Sequence, residues 1–208
     1  MPKGISKAQF RLRKIAEFLD ESNRIEGIDY EPKLFHEALV YPEGIGILHI
    51  DNSVRAFHLV EDFCKEPMTI DRVLQVHAAQ MKDVLPSAGS FRTKQVYVGA
   101  HTPPKAEVVP MLMDQWVQDF NDSDVETVTF LGTKNIKSAL DLHYAFEHIH
   151  PFIDGNGRVG RLLWAWDQLR HDRNVIPLLD VYAPLVGNNF YDKRREYYRQ
   201  LQNYHEKR

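Results

Sequence analysis

Residues 150–161 read His-Pro-Phe-Ile-Asp-Gly-Asn-Gly-Arg-Val-Gly-Arg. Helix-forming and apolar residues run from Asn135 to Ile149 ahead of this stretch and from Val159 to Leu169 behind it, so it reads as the loop of a helix–loop–helix. Pro151 lacks an N–H and disfavours the helical conformation at His150, which ends the first helix there. Gly155 and Gly157 let the backbone turn tightly and approach a ligand with no Cβ in the way. The second helix then opens at about Gly157 or Arg158. Its free N–H groups and the positive end of its dipole point into the loop and make an anion site.

The side chains suit that site. Asn156 can add a donor to it. Arg158 and Arg161 are three residues apart on the second helix and share a face, where two guanidinium forks match phosphate oxygens. Asp154 is a hard oxygen ligand beside the anion site. Mg²⁺ commonly takes one or two carboxylates together with substrate phosphates, so Asp154 is the candidate metal ligand. His150 can titrate near neutral pH and is the natural general base for an attacking hydroxyl. Phe152 has no such chemistry and reads as an anchor packed under the loop.

With no mismatched position, the stretch resembles the signature of the Fic (Fic/Doc) family, His-x-Phe-x-Asp/Glu-Gly-Asn-Gly-Arg-x-x-Arg. The resemblance implies a Fic-type helical bundle with a short β-hairpin flap, and a protein adenylyltransferase that moves AMP from ATP to Ser, Thr or Tyr hydroxyls of a target protein with release of pyrophosphate. Carried over by position, it makes His150 the base and Asp154 the Mg²⁺ ligand. It makes Gly155, Asn156, Gly157 and Arg158 the anion hole and Arg161 the clamp on the γ-phosphate. Residues 22–27, Ser-Asn-Arg-Ile-Glu-Gly, resemble the family's inhibitory pattern Ser/Thr-x-x-x-Glu-Gly/Asn. By that analogy Ser22 and Glu26 belong to an inhibitory helix, and the Glu26 carboxylate pairs with Arg161 as a bidentate fork in the place the γ-phosphate needs. Read without the analogy, Glu26-Gly27 is a helix C-terminus with Gly27 as its C′ residue.

Two further segments carry the resemblance. Residues 89–104, Gly-Ser-Phe-Arg-Thr-Lys-Gln-Val-Tyr-Val-Gly-Ala-His-Thr-Pro-Pro, alternate at Val96 and Val98 between flanking Gly and Pro and read as a short hairpin. In Fic proteins this is a flap that takes an extended target segment by strand addition, which makes Arg92, Thr93, Val96, Tyr97 and Val98 the flap candidates. Near the C-terminus, Arg-Glu-Tyr-Tyr-Arg-Gln-Leu (195–201) resembles the family helix that walls the adenine pocket, with Tyr198 and Leu201 three apart to sandwich a base. A Tyr/Leu stripe at this spacing also suits a helix buried in the core. Relatives often place an Asn about one turn beyond that Leu. Here Asn203 stands two residues on and His205 four, a departure at the base-specific contact.

The remaining features set bounds. The chain has 208 residues, enough to bury one good core, and is expected to form a single globular unit: an N-terminal segment, 1–40, carrying the inhibitory helix, on a Fic core, 41–208. A net charge of −3 gives no reason to expect a nucleic-acid partner. No apolar run is long enough for a membrane span, and the first residues lack a signal-peptide core. A single cysteine, Cys64, excludes an internal disulfide and suits a reducing, cytoplasmic compartment.

The pattern is almost entirely helical. Ser6 and Gln9 form a capping box opening a helix to about Asn23, and Pro32 starts another to about Val40. Ser53 is expected to cap a helix to Phe63 and Asp71 one to Val84. Pro104 sits at the start of a helix to Phe120, and Thr133 or Lys134 opens the helix that delivers His150. A phosphate loop, a His-Glu-x-x-His zinc site and a Gly-x-Ser-x-Gly elbow are absent, and His148 and His150, two apart, point to different helix faces. Rival readings are removal of AMP with Glu26 orienting water, a different donor or phosphate transfer, and a catalytically silent nucleotide- or partner-binding module. A homodimer is common in the family, and nothing in the sequence fixes it.

Overall fold

The computed structural model describes residues 6–123 and 138–208. Along them run helices α1 (Lys7–Ile25), α2 (Pro32–Val40), α3 (Leu48–Phe63), α4 (Ile70–Gln80), α5 (Val109–Asn121), α6 (Ala139–Ile149), α7 (Asn156–Arg170), α8 (Ala183–Val186) and α9 (Phe190–Glu206). Single 3₁₀ turns precede α5 and α8. The fold is mainly α, as the periodicity predicts. Among the described residues no helix is long and apolar enough to cross a membrane.

Helix α7 is the axis of the bundle. Every residue from Val159 to Leu169 is buried, Trp166 completely. A helix surrounded on all sides must be covered on all sides, and α1, α3, α4 and α6 all pack on it. The α6–α7 pair brings the quoted loop to the junction of these helices. Beneath it lies a single apolar cluster including Phe18, Phe57, Phe146 and Phe152.

Helix α1 forms for local reasons. The Ser6 hydroxyl accepts the Gln9 N–H at 3.2 Å and the Gln9 side chain accepts the Ser6 N–H at 3.0 Å, the reciprocal box read from the sequence. At its far end Gly27 is left-handed, φ 76°. The Gly27 N–H donates to Arg24 O and the Ile28 N–H to Asn23 O, the paired bonds of a Schellman cap. Glu26 is therefore the C-cap of α1, held in a defined place.

Several expected boundaries move. Helix α3 begins at Leu48, five residues before Ser53, because Asp51 already ties the preceding loop by accepting the N–H groups of Ile45 and Gly46, both at 2.9 Å. Ser53 is interior and buried, donating to His49 O and accepting from the Asn23 and Gln80 side-chain amides. Thr69, not Asp71, caps α4, its hydroxyl accepting the Arg72 N–H, and α4 stops at Gln80. After Pro104 the chain makes one 3₁₀ turn before α5 begins at Val109. The expected start of the central helix at Thr133 or Lys134 lies outside the described residues. Its described part begins with a Ser138–Asp141 capping box.

The hairpin is the largest correction. Only one antiparallel bridge forms in this segment, Val98 to His101, across a turn at Gly99 and Ala100. The next hydrogen-bonded rung would pair Val96 with Pro103, which has no N–H to donate, so the ladder does not extend.

Candidate active site

The loop between α6 and α7 is held from within and from behind. His150 is the C-cap of α6 in the left-handed region, φ 50° and ψ 62°, with its N–H on Phe146 O. Such a conformation in a non-glycine residue persists only when its surroundings over-determine it, and Arg92 does much of that. Its guanidinium is buried and donates to His150 O at 2.8 Å, and more weakly to Ile149 O and Lys94 O, with a further short bond to Pro104 O. Its backbone N–H donates to Pro151 O at 2.9 Å. Arg92 is thus a clamp on the loop backbone, and it does not face outward as a flap residue.

Asn156 is committed in the same way. Its side-chain oxygen accepts the Phe152 N–H at 2.9 Å and its amide donates to Phe152 O at 3.0 Å. It closes the loop on itself, which commits its side-chain oxygen and one of its two N–H groups to the backbone. Phe152 is fully buried, the anchor it was read to be. It stacks on His77 of α4 at 3.6 Å between ring centroids and 2° between planes. His77 takes the Gly89 N–H on Nδ1 at 2.9 Å, so the proton is on Nε2, which donates to Asp154 O at 3.1 Å. Burial lowers its pKa to about 4, which keeps that tautomer neutral. Sequence reasoning missed His77, since one histidine on the apolar face of a helix carries no local mark of such a role.

Gly155 then turns the chain at φ 82° into α7, packed so closely on Met81 that a Cβ would stand 2.6 Å from its sulfur. With glycine as N-cap no side chain blocks the helix end, so the first-turn N–H groups face the site. Asp154 is exposed; one oxygen accepts the Gly155 N–H at 2.5 Å and lies 3.6 Å from Arg158.

The two arginines stand in opposite states. Arg158 is buried, yet its Nε and Nη1 have no hydrogen-bond partner. Arg161 is tied to α1: Nε donates to Ser22 Oγ at 2.9 Å, and Nη2 to Ser22 O at 2.8 Å and to Glu26 Oε1 at 2.6 Å. The pairing of Glu26 with Arg161 is the one the sequence suggested, though one carboxylate oxygen and Ser22 fill the fork rather than a bidentate carboxylate. Burial works to raise the Glu26 pKa, but the charge and hydrogen bond of Arg161, together with Arg158 and Arg194, outweigh it and hold the carboxyl below its usual range. Gly157 makes room for this contact, since a Cβ there would overlap Glu26 Oε1.

His150 itself is neutral. Burial lowers its pKa to about 4 against the opposing pull of the Glu147 carbonyl, with Arg92 and His101 reinforcing the shift. A neutral imidazole next to a helix N-terminus and an unpartnered guanidinium can take a proton from a hydroxyl while phosphates occupy the anion site.

Residues 67–166, which contain this whole loop, match the Fic/DOC family. The chain carries a Fic/DOC domain. Relatives named protein adenylyltransferase Fic include one from Drosophila erecta, 34% identical over 146 residues, covering 70% of this chain and 24% of the relative. Another, from Drosophila melanogaster, is 32% identical over 149 residues with the same coverage. The chain thus spans about a quarter of the length of these relatives. Among solved structures, a Fic domain containing signaling protein from Bacteroides thetaiotaomicron superposes with TM-score 0.71 at 19% identity, covering 96% of this chain and 76% of that one. A Fic family protein from Desulfovibrio desulfuricans gives 0.65 at 25% identity, covering 95% and 58%.

The remaining candidates fall on a second, more open face. Tyr198 and Leu201 of α9 line a cavity of about 360 Å³ whose opposite wall is Val98, Ala100, His101 and Thr102. Tyr198 is partly exposed, with its hydroxyl 3.5 Å from Ile25 O at the end of α1. His205, not Asn203, lines the cavity. Thr93, Tyr97 and Val98 are exposed and Val96 partly so, which leaves an open edge along the segment before the bridge.

Proposed function

We propose that this domain transfers AMP from ATP to a Ser, Thr or Tyr hydroxyl of a target protein, and that Glu26 restrains the transfer. The observation that carries the reading is the contrast between the arginines: a buried guanidinium at the anion site with two unpartnered nitrogens, and beside it one already held by Ser22 and one oxygen of the Glu26 carboxylate. The first asks for an anion and the second has been given a substitute for one.

In this reading His150 accepts the hydroxyl proton on its free ring nitrogen as the hydroxyl oxygen forms a bond to the α-phosphorus. The bond from that phosphorus to the bridging oxygen breaks, and pyrophosphate leaves. The N–H groups at the start of α7 and Arg158 receive the phosphate charge, and Arg161, once free of Glu26, receives the terminal phosphate. Such chemistry depends on positioning and fixed charge. Asp154 fits Mg²⁺, since an exposed carboxylate beside the phosphate site suits an ion that keeps waters and phosphate oxygens. Mg²⁺ bound there would neutralise phosphate charge. Tyr198 and Leu201 would enclose the base, and the open edge at residues 93–98 would receive the target strand. The proposed setting is the cytoplasm.

The test is transfer of label from α-³²P-ATP with Mg²⁺ to the chain itself and to lysate proteins. Glu26→Gly should raise labelling at least about tenfold, the factor expected when a charge-assisted bond of about 1.5–3 kcal/mol is removed from the resting state, and His150→Ala in that background should abolish it. No label in any variant, with ATP still bound, would remove the transferase reading. Glu26-dependent release of AMP from a labelled target would assign the reverse reaction.

A further inference from the structure

Away from the loop, three histidines distant in sequence converge beside the open cavity: His101 from the β-bridge, His148 from the last turn of α6 and His205 from the last turn of α9. One ring nitrogen from each lies within 4.8 Å of the other two. We propose that His101, His148 and His205 form a binding site for a divalent transition metal of the Zn²⁺ type, separate from the carboxylate at Asp154.

The geometry is that of a site awaiting an ion. His148 Nδ1 and His205 Nδ1 face each other at 3.1 Å. Two nitrogens bound to one tetrahedral Zn²⁺ at about 2.0–2.1 Å stand roughly 3.3–3.4 Å apart, so this pair already has the right separation. His101 Nε2 lies 3.0 Å from His148 O. A carbonyl only accepts, so Nε2 carries the proton and Nδ1 keeps its lone pair. An imidazole whose other nitrogen donates to a backbone carbonyl is the usual outer-shell arrangement of a metal-bound histidine. His101 and His205 stack at 3.7 Å and 6°, so shared ligation needs one ring to tilt.

The chemistry selects the ion. Three neutral imidazoles with no carboxylate among them suit Zn²⁺, Co²⁺, Ni²⁺ or Cu²⁺ and reject Mg²⁺ and Ca²⁺, which require oxygen. One of the two facing Nδ1 atoms carries the proton of their hydrogen bond, and that proton moves to the ring's other nitrogen or leaves when both bind an ion. His101 and His205 also line the cavity, which leaves a fourth position open to water. Unlike Asp154, which neighbours the phosphate site, this trio ties together three pieces of chain: the turn after the flap segment, the end of α6 two residues before His150, and the end of α9. A bound ion would fix the wall of the cavity, whatever reaction the domain performs.

The untagged, metal-free chain should be titrated with Co²⁺ and then Zn²⁺. One Co²⁺ per chain should bind with visible d–d bands of nitrogen ligation, and Zn²⁺ should displace it. Zn²⁺ at a hundredfold excess over its Kd should raise Tm by about 5–10 °C, and Mg²⁺ should do neither. His101→Gln and His205→Gln should each weaken binding roughly 100-fold or more, with the metal-free Tm unchanged, and His58→Gln should leave binding intact. No Co²⁺ spectrum from the wild-type chain at micromolar metal would overturn the site, whether or not the variants fold. So would binding that survives unchanged in both variants.

Discussion

The loop from His150 to Asn156 and the cavity wall built by α9 and residues 98–102 are held by opposite means. In the loop, Asn156, Arg92 and His77 spend their polar groups on its own backbone, and Phe152 is locked beneath it. The wall is half-exposed, and its pieces meet through one β-bridge, the His101 bond to His148 O, the stack of His101 on His205 and a long tyrosine contact. Phosphates differ little between nucleotides and reward a rigid cradle. A base and a target strand need surfaces that can close on them. The difference places rigidity where charge must be met without reorganisation, and compliance where recognition happens.

The comparison can be broken at several points. The largest effect should come from the one loop residue whose ring is not spent on the scaffold. His150→Ala should cut transfer by roughly 10²–10⁴-fold while leaving Tm nearly unchanged, read by labelling and a thermal melt side by side. A large fall in Tm would make the ring structural and erase the distinction.

Next come the staples. His77→Ala removes a stacked ring and a polar bridge and should cost about 2–4 kcal/mol in urea unfolding. Asn156→Ala strands the Phe152 N–H and C=O in a buried place and should cost about 1–3 kcal/mol. Losses below about 0.5 kcal/mol in both would mean that the loop holds itself without them. On the wall the sign of the experiment reverses. Tyr198→Ala should weaken ATP binding about five- to tenfold by calorimetry, with stability within about 0.5 kcal/mol of wild type.

The smallest effect concerns Glu147, buried behind Arg161 with Oε1 unpartnered. Burial raises its pKa from 4.5 to about 8. The folded state then holds more protons than the unfolded one between those values, so stability falls as pH rises through them. Burial lowers His77 and His150 from 6.5 to about 4, so their contribution is present above pH 6.5 and is lost as pH falls towards 4. Glu147→Gln should therefore flatten the alkaline side of a Tm-against-pH curve and leave the acid side alone. An unchanged alkaline limb would show that the carboxyl finds water or a partner.

What could be read from the chain beforehand follows the range of the forces involved. The Ser6 box, the Pro32 start and the Gly27 stop depend on residues within one helical turn, and the structure has them where the sequence put them. The pairing of Ser22 and Glu26 with Arg161 is long-range, and was legible only through a resemblance between patterns. The starts of α3 and α4 were misplaced because several residues competed for each cap, and only the packing of Ile50 and the tie at Asp51 decided the first. The hairpin was overread because alternation at Val96 and Val98 was weighed without the prolines opposite. His77 and the inward turn of Arg92 were invisible, because their partners lie 77 and 58 positions away.

The Schellman cap at Gly27 carries one more consequence. Ser22 and Glu26 occupy the final turn of α1, and helices come apart from their ends. Arg161 can therefore be freed by fraying the five residues Ser22 to Glu26, at the cost of exposing Ile25, while the rest of α1, with Ile15, Phe18 and Leu19 in the core, remains docked. A restraint placed there is a latch rather than a plug. It would leak slightly at rest, loosen steeply with warming, and yield to any neighbour that merely tugs on the chain after Gly27.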